Sequence, residues 1–272
     1  MTKPDAPCRR NGLISGKQMD GKYIEQVILK KDPPETEYFS QLPVVKSLSR
    51  SGKLSFFKDV TFFVGENGTG KSTLLEAIAI TSGFNAEGGT RNFTFSTRKT
   101  HSALHEYLTL VRTRYAKDGF FLRAESLYNL ASNIEDLDQD AASAPRLVDS
   151  YGGVSLHCQS HGESFLSLVQ NRFGGDGLYL LDEPEAALSP ARQMALLVEI
   201  DRLVHRNSQL IIATHSPILM AYPGAAVYEF SQEGINEVDF RETEHYCLTR
   251  RFLNAPEKML HLLLDDDHLD EN

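Results

Sequence analysis

The sequence has few cysteines and no long apolar run, and both shortages exclude whole classes of protein. Its three cysteines, Cys8, Cys158 and Cys247, are odd in number and widely spaced, so they form neither a disulfide framework nor a metal-binding pattern. No stretch approaches the roughly 20 apolar residues that a membrane-spanning helix needs. The polar first segment lacks the apolar region of a signal peptide. We therefore expect a soluble chain in the reducing cytoplasm, with no membrane insertion.

The chain also lacks an excess of basic residues. Its 272 residues carry a net charge of −9, and 41% of them are hydrophobic and 24% charged. This composition is ordinary for one large globular domain. A protein coated in basic surface is therefore excluded, whereas a local basic stripe is not, because a cleft can differ in sign from the average charge.

The chain divides into a central domain and two polar ends. We expect a flexible arm over residues 1–22, a single domain over residues 23–264, and an acidic, solvated tail over residues 265–272. Within the domain, residues 84–151 differ from the rest in sequence pattern, and we expect them to form a mainly helical lobe. Its clearest helical pattern is HSALHEYLTLVRTRY at residues 101–115.

Short apolar runs between turn residues predict an α/β fold with a mostly parallel core sheet, flanking helices and antiparallel strands near the N-terminus. The expected strands are Tyr23–Lys30, Val60–Val64, Leu178–Leu181 and Leu210–Ala213. The expected helices run from Lys71 to about Gly83, from about Ser160 to Arg172, and from Pro190 to Val204. The alternating segments AVYEF and INEVDF, on either side of Gly234, predict a terminal hairpin.

A glycine-rich loop at residues 65–72, GENGTGKS, matches the pattern GxxxxGK[ST] completely. Its glycines let backbone amides surround phosphate oxygens, and the following helix points its N-terminal dipole at the same anion. Lys71 is expected to neutralise the β- and γ-phosphates, and the Ser72 hydroxyl to bind Mg²⁺. The preceding strand and following helix make a plain surface turn the weaker interpretation. The candidate nucleotide-binding residues are Gly65, Glu66, Asn67, Gly68, Thr69, Gly70, Lys71, Ser72 and Thr73.

A second motif, GLYLLDEPE, ends an apolar strand with acidic residues. The strand delivers Asp182 to its carboxyl end, where P-loop proteins hold Mg²⁺. Glu183 points to the other side and is placed to polarise the attacking water as general base. Taken alone, the motif is equally consistent with an acidic turn. Its occurrence together with the phosphate loop favours the functional interpretation.

A third motif, QSHGE at residues 159–163, opens a helix. A serine before a glycine-containing turn is a ready helix cap and an anion site. Ser160 and Glu163 alone would indicate only a capping box. The position of the motif about twenty residues before the acidic strand raises it above that interpretation.

A fourth motif, LIIATHSP, ends a buried strand with Thr214, His215 and Ser216. If this strand lies beside the central ones, His215 lies near the γ-phosphate. A single histidine at a strand end is usually structural. The order of the four motifs along the chain favours a phosphate-sensing role for His215.

The four motifs in this order resemble those of the ABC-type ATPases. The sequences DEPE-AALSP and ATHSP resemble the SMC- and RecF-like branch of these ATPases. More narrowly, GFNAEGGTRNFTFSTR, FFLRAES and QSHGESFL are similar to a compact bacterial family of predicted AAA/ABC-type ATPases. The resemblance covers about residues 23–240. The corresponding family elements are Walker A at Gly65–Ser72, the signature at Gln159–Glu163, Walker B at Leu178–Glu183, the D-loop at Ala187–Pro190 and the switch histidine at His215.

The resemblance implies a P-loop NTPase fold and ATP hydrolysis between two copies that meet head to tail. It implies that Lys71, Glu183 and His215 are catalytic and that Ser72 and Asp182 hold Mg²⁺. The signature residues of one copy would act in trans on ATP held by the other; these are Ser160, His161, Gly162 and Glu163. ATP would join this homodimer and hydrolysis would release it.

The chain departs from the family pattern at several positions. No glutamine occurs between Gln41 and Gln139, where a Q-loop glutamine is expected. Candidates to replace it are Asn85, Asn92, Ser96 and Thr97. His161 replaces the first signature glycine, and Pro190 stands where transporters have aspartate. Candidates for adenine stacking are Tyr38 and Phe39. ATP rather than GTP is expected from the family likeness and the lack of an NKxD motif, and the lack of long heptads excludes an SMC-like coiled-coil arm.

An ATP-driven dimeric clamp, acting in DNA maintenance or in defence with an unidentified effector protein, is the leading hypothesis. The energising subunit of a membrane transporter is the main alternative, and a small-molecule kinase and a pure ATP-binding module are weaker ones. Basic residues of the lobe could line a nucleic-acid face, although such a run is more often the solvated side of helices. They are Arg91, Arg98, Lys99, Arg112, Arg114, Lys117 and Arg123.

Overall fold

The computed structural model describes residues 22–91, 102–140 and 146–264. Nearly all of the predicted arm and the whole predicted acidic tail lie outside these ranges. The same is true of three candidates for the missing glutamine, Asn92, Ser96 and Thr97.

Nine strands and eight α-helices form the described part of the chain. The strands are β1 (Gln26–Leu29), β2 (Lys53–Ser55), β3 (Val60–Gly65), β4 (Leu108–Val111), β5 (Asp118–Arg123), β6 (Gly177–Asp182), β7 (Gln209–Ala213), β8 (Ala226–Phe230) and β9 (Ile235–Glu237). The helices are α1 (Pro43–Ser51), α2 (Lys71–Thr81), α3 (Leu127–Asp140), α4 (His161–Arg172), α5 (Pro190–His205), α6 (Pro217–Met220), α7 (Glu244–Asn254) and α8 (Pro256–Leu264).

The main sheet has six strands in the order β5-β6-β7-β3-β8-β9. The first five run parallel, and β9 pairs antiparallel with β8. This confirms the predicted mostly parallel sheet and the terminal hairpin. Because parallel strands end at one edge, the loops that follow β3, β5, β6 and β7 all meet there.

Both faces of the main sheet are covered, which explains why its central strands are apolar without alternation. All residues of β3, β6 and β7 are buried. Phe63 and Leu180 share one core cluster with Leu74 of α2. Phe62 and Leu181 share a second cluster on the other face, with helices α4 and α5. The successive strand residues therefore alternate between two hydrophobic layers.

A smaller antiparallel sheet, in the order β2-β1-β4, accounts for the predicted N-terminal antiparallel strands. Its strand β4 corrects the prediction of a mainly helical lobe over residues 84–151. The segment expected to be a helix instead has a short 3-10 helix at Ala103–Tyr107 followed by β4. Pairing with β1 buries Leu108 and stabilises the extended form, so tertiary contacts override the local pattern.

Strand β5 is the second correction to the predicted helical lobe. Its residues Phe120, Phe121 and Leu122 are buried beside β6 in the main sheet. Helix α3 is the α-helix that the structure describes within this segment. The division of the chain into arm, domain and tail stays a prediction.

Helices α7 and α8 follow the hairpin and were not anticipated. None of their residues is buried, and Leu253 and Leu264 are among the exposed large apolar side chains. Within the described ranges, no helix has both the length and the apolar character required to cross a bilayer.

A hydrogen-bond network at the starts of β5 and β6 should contribute measurably to stability. Tyr179 donates its hydroxyl proton to Asp118 Oδ2 at 2.7 Å and accepts the backbone N–H of Gly175 at 3.0 Å. Tyr179→Phe leaves both partners short of one hydrogen bond in a partly buried place, so we expect the free energy of unfolding to fall by about 1–3 kcal/mol. Urea unfolding measures it. Tyr222→Phe, which removes an exposed bond to Asp201, is the control and should cost clearly less; equal losses would contradict the prediction.

Candidate active site

The glycine-rich loop lies between the end of β3 and the start of α2, with its glycines in left-handed conformations. The φ angles of Gly65, Gly68 and Gly70 are 123°, 80° and 98°. A Cβ atom on Gly65 would lie 2.1 Å from the backbone oxygen of Phe230. Side chains are thus excluded at this point by both conformation and space. The loop has the backbone form and the following helix that phosphate binding requires.

Lys71 turns back over the loop. Its side chain is buried, and Nζ donates to the carbonyl oxygens of Gly65 at 2.7 Å and Glu66 at 2.8 Å. Burial lowers the pKa of Lys71 from its usual value, and the carboxylates of Glu183 and Asp182 oppose that shift. A cation held in this way at a helix N-terminus is suited to binding an anion.

Ser72 and Asp182 meet across the sheet edge. The Ser72 hydroxyl donates to Asp182 Oδ1 at 2.8 Å, although 110 positions separate the two residues in sequence. A hydroxyl and a carboxylate are hard oxygen ligands, and Mg²⁺ usually takes few protein oxygens and completes its shell with phosphates and water. The donor set therefore fits Mg²⁺ carried in with a nucleotide.

Asp182 is a buried carboxyl group that lies beside the guanidinium of Arg123. Burial raises the pKa of Asp182 to about 6, which Arg123 and the Ser72 hydrogen bond oppose. Nε of Arg123 lies 3.4 Å from Asp182 Oδ2, and its other nitrogens contact Glu76 at 2.9 Å and Glu125 at 2.5 Å. One guanidinium thus links α2, the end of β5 and the acidic strand.

The end of β5 at Arg123 and the following segment Ala124–Ser126 lie between the glycine-rich loop and the signature, where the missing glutamine was sought. Arg123 and Glu125 line a cavity of about 380 Å³ together with Ser72, Asp182 and Glu183. Asn85, the one described candidate, lies after α2, where its Oδ1 accepts the backbone N–H of Glu87 at 2.9 Å, and it is not among the lining residues. The sequence reasoning overlooked Arg123 as a site residue; the short apolar run Phe120–Leu122, directly before Arg123, was the available signal.

Glu183 lies at the turn that leaves β6. Its φ angle of 48° is left-handed, which turns its backbone sharply away from the strand direction. Its side chain lines the same cavity as Asp182, and its Oε1 lies 3.7 Å from His215 Nε2. The acid pair and the histidine are therefore brought together, as the sequence interpretation requires.

His215 is held by a glutamate that the sequence reasoning did not select. Glu185 Oε1 accepts the backbone N–H of His215 at 2.5 Å, and Glu185 Oε2 accepts the Thr214 hydroxyl at 2.7 Å. On the other side, His215 Nδ1 lies 2.8 Å from Nε2 of His245 in α7. Burial, with Lys71 and His245, lowers the pKa of His215 to about 4, so the ring is neutral at neutral pH.

The predicted signature residues surround the N-terminus of α4. Ser160 and Glu163 are exposed, and the Glu163 carboxylate accepts the backbone N–H of Ser160 at 3.0 Å and its hydroxyl at 2.6 Å. Arg192 contacts both side chains, at 3.1 Å and 3.0 Å. The expected capping box is present. Its presence leaves the proposed role in trans a prediction.

Gly162 and His161 differ in their surroundings. A Cβ atom on Gly162 would lie 2.8 Å from the carbonyl oxygen of Ala187 and 2.6 Å from Arg192, so this turn packs tightly on the D-loop-like segment. His161 lines the cavity that contains Ser72 in the same chain. Its side chain therefore needs no second copy to reach that cavity, unlike the expectation for the signature as a whole.

The two candidates for adenine stacking differ in their exposure to solvent. Phe39 is fully buried in the core and contacts Tyr107, which removes it from the two candidates. Tyr38 is 67% exposed and packs its edge against Phe39. Tyr38 stays a candidate.

The basic residues suggested for a nucleic-acid face are engaged within the chain where the structure describes them. Arg91 and Arg112 donate to the backbone oxygens of Ala116 and Thr81. Further contacts join Arg114 to the ring of Tyr23, Lys117 to Asp176 and Arg123 to Glu76. Arg98 and Lys99 lie outside the described residues. These contacts weaken the argument for a basic binding face.

Comparisons with known proteins bear on the same segments. A family model described as "AAA domain, putative AbiEii toxin, Type IV TA system" matches residues 158–221, and one described as "AAA domain" matches residues 44–117. The second includes the glycine-rich loop, and the first includes the signature residues, the acid pair and His215.

Curated relatives and solved structures are also similar to the chain. It is 28% identical over 203 residues to the "Cobalt import ATP-binding protein CbiO" of Salmonella typhimurium, which covers 70% of this chain and 73% of that protein. The protein of the same name from Salmonella typhi has the same identity and coverage. CbiO1 of Clostridium perfringens, part of the ABC transporter complex cbiONQ, shares 15% identity at a TM-score of 0.46, covering 89% of this chain and 99% of that chain. The SMC head domain of Thermotoga maritima shares 15% at 0.42, covering 80% and 98%.

The raised pKa of Asp182 predicts an unusual dependence of stability on pH. Its pKa is about 6 in the folded protein and 3.8 ordinarily, so the folded protein holds a proton that the unfolded chain releases between these values. Stability is therefore lost as the pH rises through this window. Asp182→Asn does not titrate, so its free energy of unfolding relative to wild type should rise by on the order of 2 kcal/mol between pH 4 and pH 8.

Chemical denaturation across this pH range tests the prediction for Asp182. Asp136→Asn, at an exposed position on α3, is the control and should keep the wild-type profile. Mg-ATP should stabilise wild type and the control much more than Asp182→Asn. A pH-independent difference between Asp182→Asn and wild type would refute the prediction.

Proposed function

Because this chain is a P-loop ATPase of the ABC type and hydrolyses ATP, we propose that two copies hold ATP between them as a nucleotide-driven clamp. The position of Ser160 supports this best. Its hydroxyl is exposed at the N-terminus of α4 and contacts Glu163 and Arg192 rather than the glycine-rich loop. An exposed helix N-terminus attracts an anion, and ATP bound to a second copy would supply one.

The residues around the cavity would have different roles in binding and hydrolysing ATP. Backbone amides of the glycine-rich loop and the Lys71 ammonium would hold the β- and γ-phosphates. Mg²⁺, held by Ser72 and Asp182, would supply charge neutralisation when it is bound. Glu183 would accept the proton of the attacking water. Neutral His215 would face the γ-phosphate from the side of Glu183.

The proposed cycle of dimer closure and opening follows from the position of the γ-phosphate charge. A γ-phosphate held in one copy would attract Ser160 and the amide of Gly162 in the other, so ATP stabilises the dimer by mass action. Hydrolysis and phosphate release would remove that anion and weaken the contact. The clamp would therefore close on ATP and open on ADP, in the cytoplasm, on a nucleic acid or an effector protein that is still to be identified.

A transporter role is the second candidate, because the curated relatives are named cobalt import ATP-binding proteins. In that role the segment after β5 would dock a membrane subunit. Arg123 is turned inward to Glu76 and Asp182, while Glu125 is exposed, so the docking surface would have to be acidic. Co-purification of the chain with membranes, lost in Glu125→Lys and unaffected by Glu233→Lys, would favour this candidate over the clamp.

Glu183→Gln should separate binding from turnover. The amide cannot accept the proton of water, so we expect ATP to stay bound, turnover to fall by about 100-fold or more, and a stable dimer to accumulate. Light scattering coupled to size exclusion, with and without Mg-ATP, measures the assembly. Glu233→Gln, at an exposed loop position, is the control and should cycle as wild type. A Glu183→Gln protein that stays monomeric at saturating Mg-ATP would contradict the proposed ATP-dependent dimer.

Two variants that each damage a different half of the site should complement each other. Ser160→Arg should bind ATP as an isolated subunit but block hydrolysis by its partner's site, whereas Lys71→Ala should fail to bind ATP. In a mixed dimer, the intact glycine-rich loop of the first faces the intact Ser160 of the second. An equimolar mixture should therefore regain activity, up to about a quarter of wild type if subunits pair at random. No gain over the separate variants would argue against sites shared between copies.

A further inference from the structure

The contact between His215 and His245 links helix α7, by way of His215, to Glu183, which lines the cavity of about 380 Å³. His215 Nδ1 and His245 Nε2 lie 2.8 Å apart, a hydrogen-bond distance, with the ring centres separated by 4.8 Å. His245 comes from an element that the four motifs do not include. We propose that His245 is a positioning residue that fixes the tautomer and orientation of His215; this rests on the proposed role of His215 in ATP hydrolysis.

The position of the single N–H proton on the His215 ring can be argued from its neighbours. Burial and the neighbouring charges keep His215 neutral near pH 7, so its ring carries one N–H. Its Nε2 is buried, lies 3.7 Å from Glu183 Oε1 and has no hydrogen-bond partner among the described residues. A lone pair at Nε2 would face a carboxylate, which is repulsive, whereas an N–H there is attracted to it. The geometry therefore favours the proton on Nε2.

The Nδ1 atom of His215 must then accept a hydrogen bond. Two ring nitrogens at 2.8 Å need one proton between them, and His245 Nε2–H is placed to supply it. This is the way in which a second residue sets the tautomer of a functional histidine. His215 Nε2–H then points towards Glu183 and the side of the γ-phosphate.

The surroundings argue against accidental packing as the cause of the contact. No residue of α7 is buried, and its face borders a cavity of about 760 Å³ lined by Glu185, His215, Tyr246 and Arg250 among others. Helix α7 thus reaches the site through His245 rather than through a close apolar interface. The charged and titratable groups that face His215 are Lys71 from α2, Glu183 and Glu185 from the segment after β6, and His245 from α7.

The chain offers variants that separate positioning from simple support. His245→Ala removes the donor to Nδ1. His245→Gln places an amide N–H near the former Nε2 and should restore it. Tyr246→Ala removes the packing of α7 on Phe240 but leaves His245 in place. His205→Ala removes an exposed ring at the end of α5 that contacts Asp201 rather than either histidine of the pair, and serves as the control.

The test is long-range ¹H–¹⁵N spectroscopy of the nucleotide-free protein labelled in histidine, with His215→Ala to assign the signals. In wild type, His205→Ala and His245→Gln, His215 should be protonated at Nε2. In His245→Ala it should exchange between tautomers, and its pKa should rise because one of the charges that depress it is gone. An unchanged His215 tautomer in His245→Ala, or protonation at Nδ1 in wild type, would overturn the proposal.

ATPase kinetics give the second readout and separate this proposal from the one it rests on. His245→Ala should lower kcat by about 10- to 100-fold with little change in KM, and His245→Gln should recover most of it. Equal losses in His245→Ala, His245→Gln and Tyr246→Ala would indicate mere support of α7 and overturn positioning. A different outcome would separate the two proposals: His215→Ala hydrolyses ATP as wild type does, while the His215 tautomer still depends on His245. The role of His215 in the proposed function would then be wrong, and the positioning of His215 by His245 would still hold.

Discussion

The active site depends on a buried carboxylate, Asp182, at the meeting point of three segments. Its two oxygens have different partners, the Ser72 hydroxyl on one side and the Arg123 guanidinium on the other. Burial of this charge is unfavourable unless cations compensate it. One internal cation is shared among Glu76, Glu125 and Asp182, which leaves excess negative charge suited to a divalent ion. Nucleotide binding and local stability are therefore coupled through this one group.

The fold and the convergence of the sequence motifs at one sheet edge were predictable because their signals are local. The apolar runs of β3, β6 and β7 fix buried parallel strands, and parallel strands must end at one edge. The glycine-rich loop, Asp182 and His215 follow those three ends directly, so their convergence follows from the strand order. The spacing within each motif needed no knowledge of distant contacts.

Other parts of the site were not predictable, for a common physical reason. Arg123, Glu185 and His245 have their roles through partners between 30 and 59 positions away in sequence, as the contacts of Arg123 with Asp182, of Glu185 with His215 and of His215 with His245 show. Strands β4 and β5 likewise owe their extended form to pairing with β1 and β6. A single sequence records residue types at such positions but not which distant group they meet.

The tight packing of Gly162 on Ala187 has a mechanical consequence. Because a methyl group would not fit between them, the turn that begins α4 rests directly on the segment from Glu183 to Ala187. A displacement at Ser160 would therefore be passed by direct contact to the segment that bears Glu183, the proposed general base. In the proposed clamp, a second copy seated on the surface at Ser160 would thus act on the residues proposed for hydrolysis through neighbouring contacts alone, without a rearrangement of the whole fold.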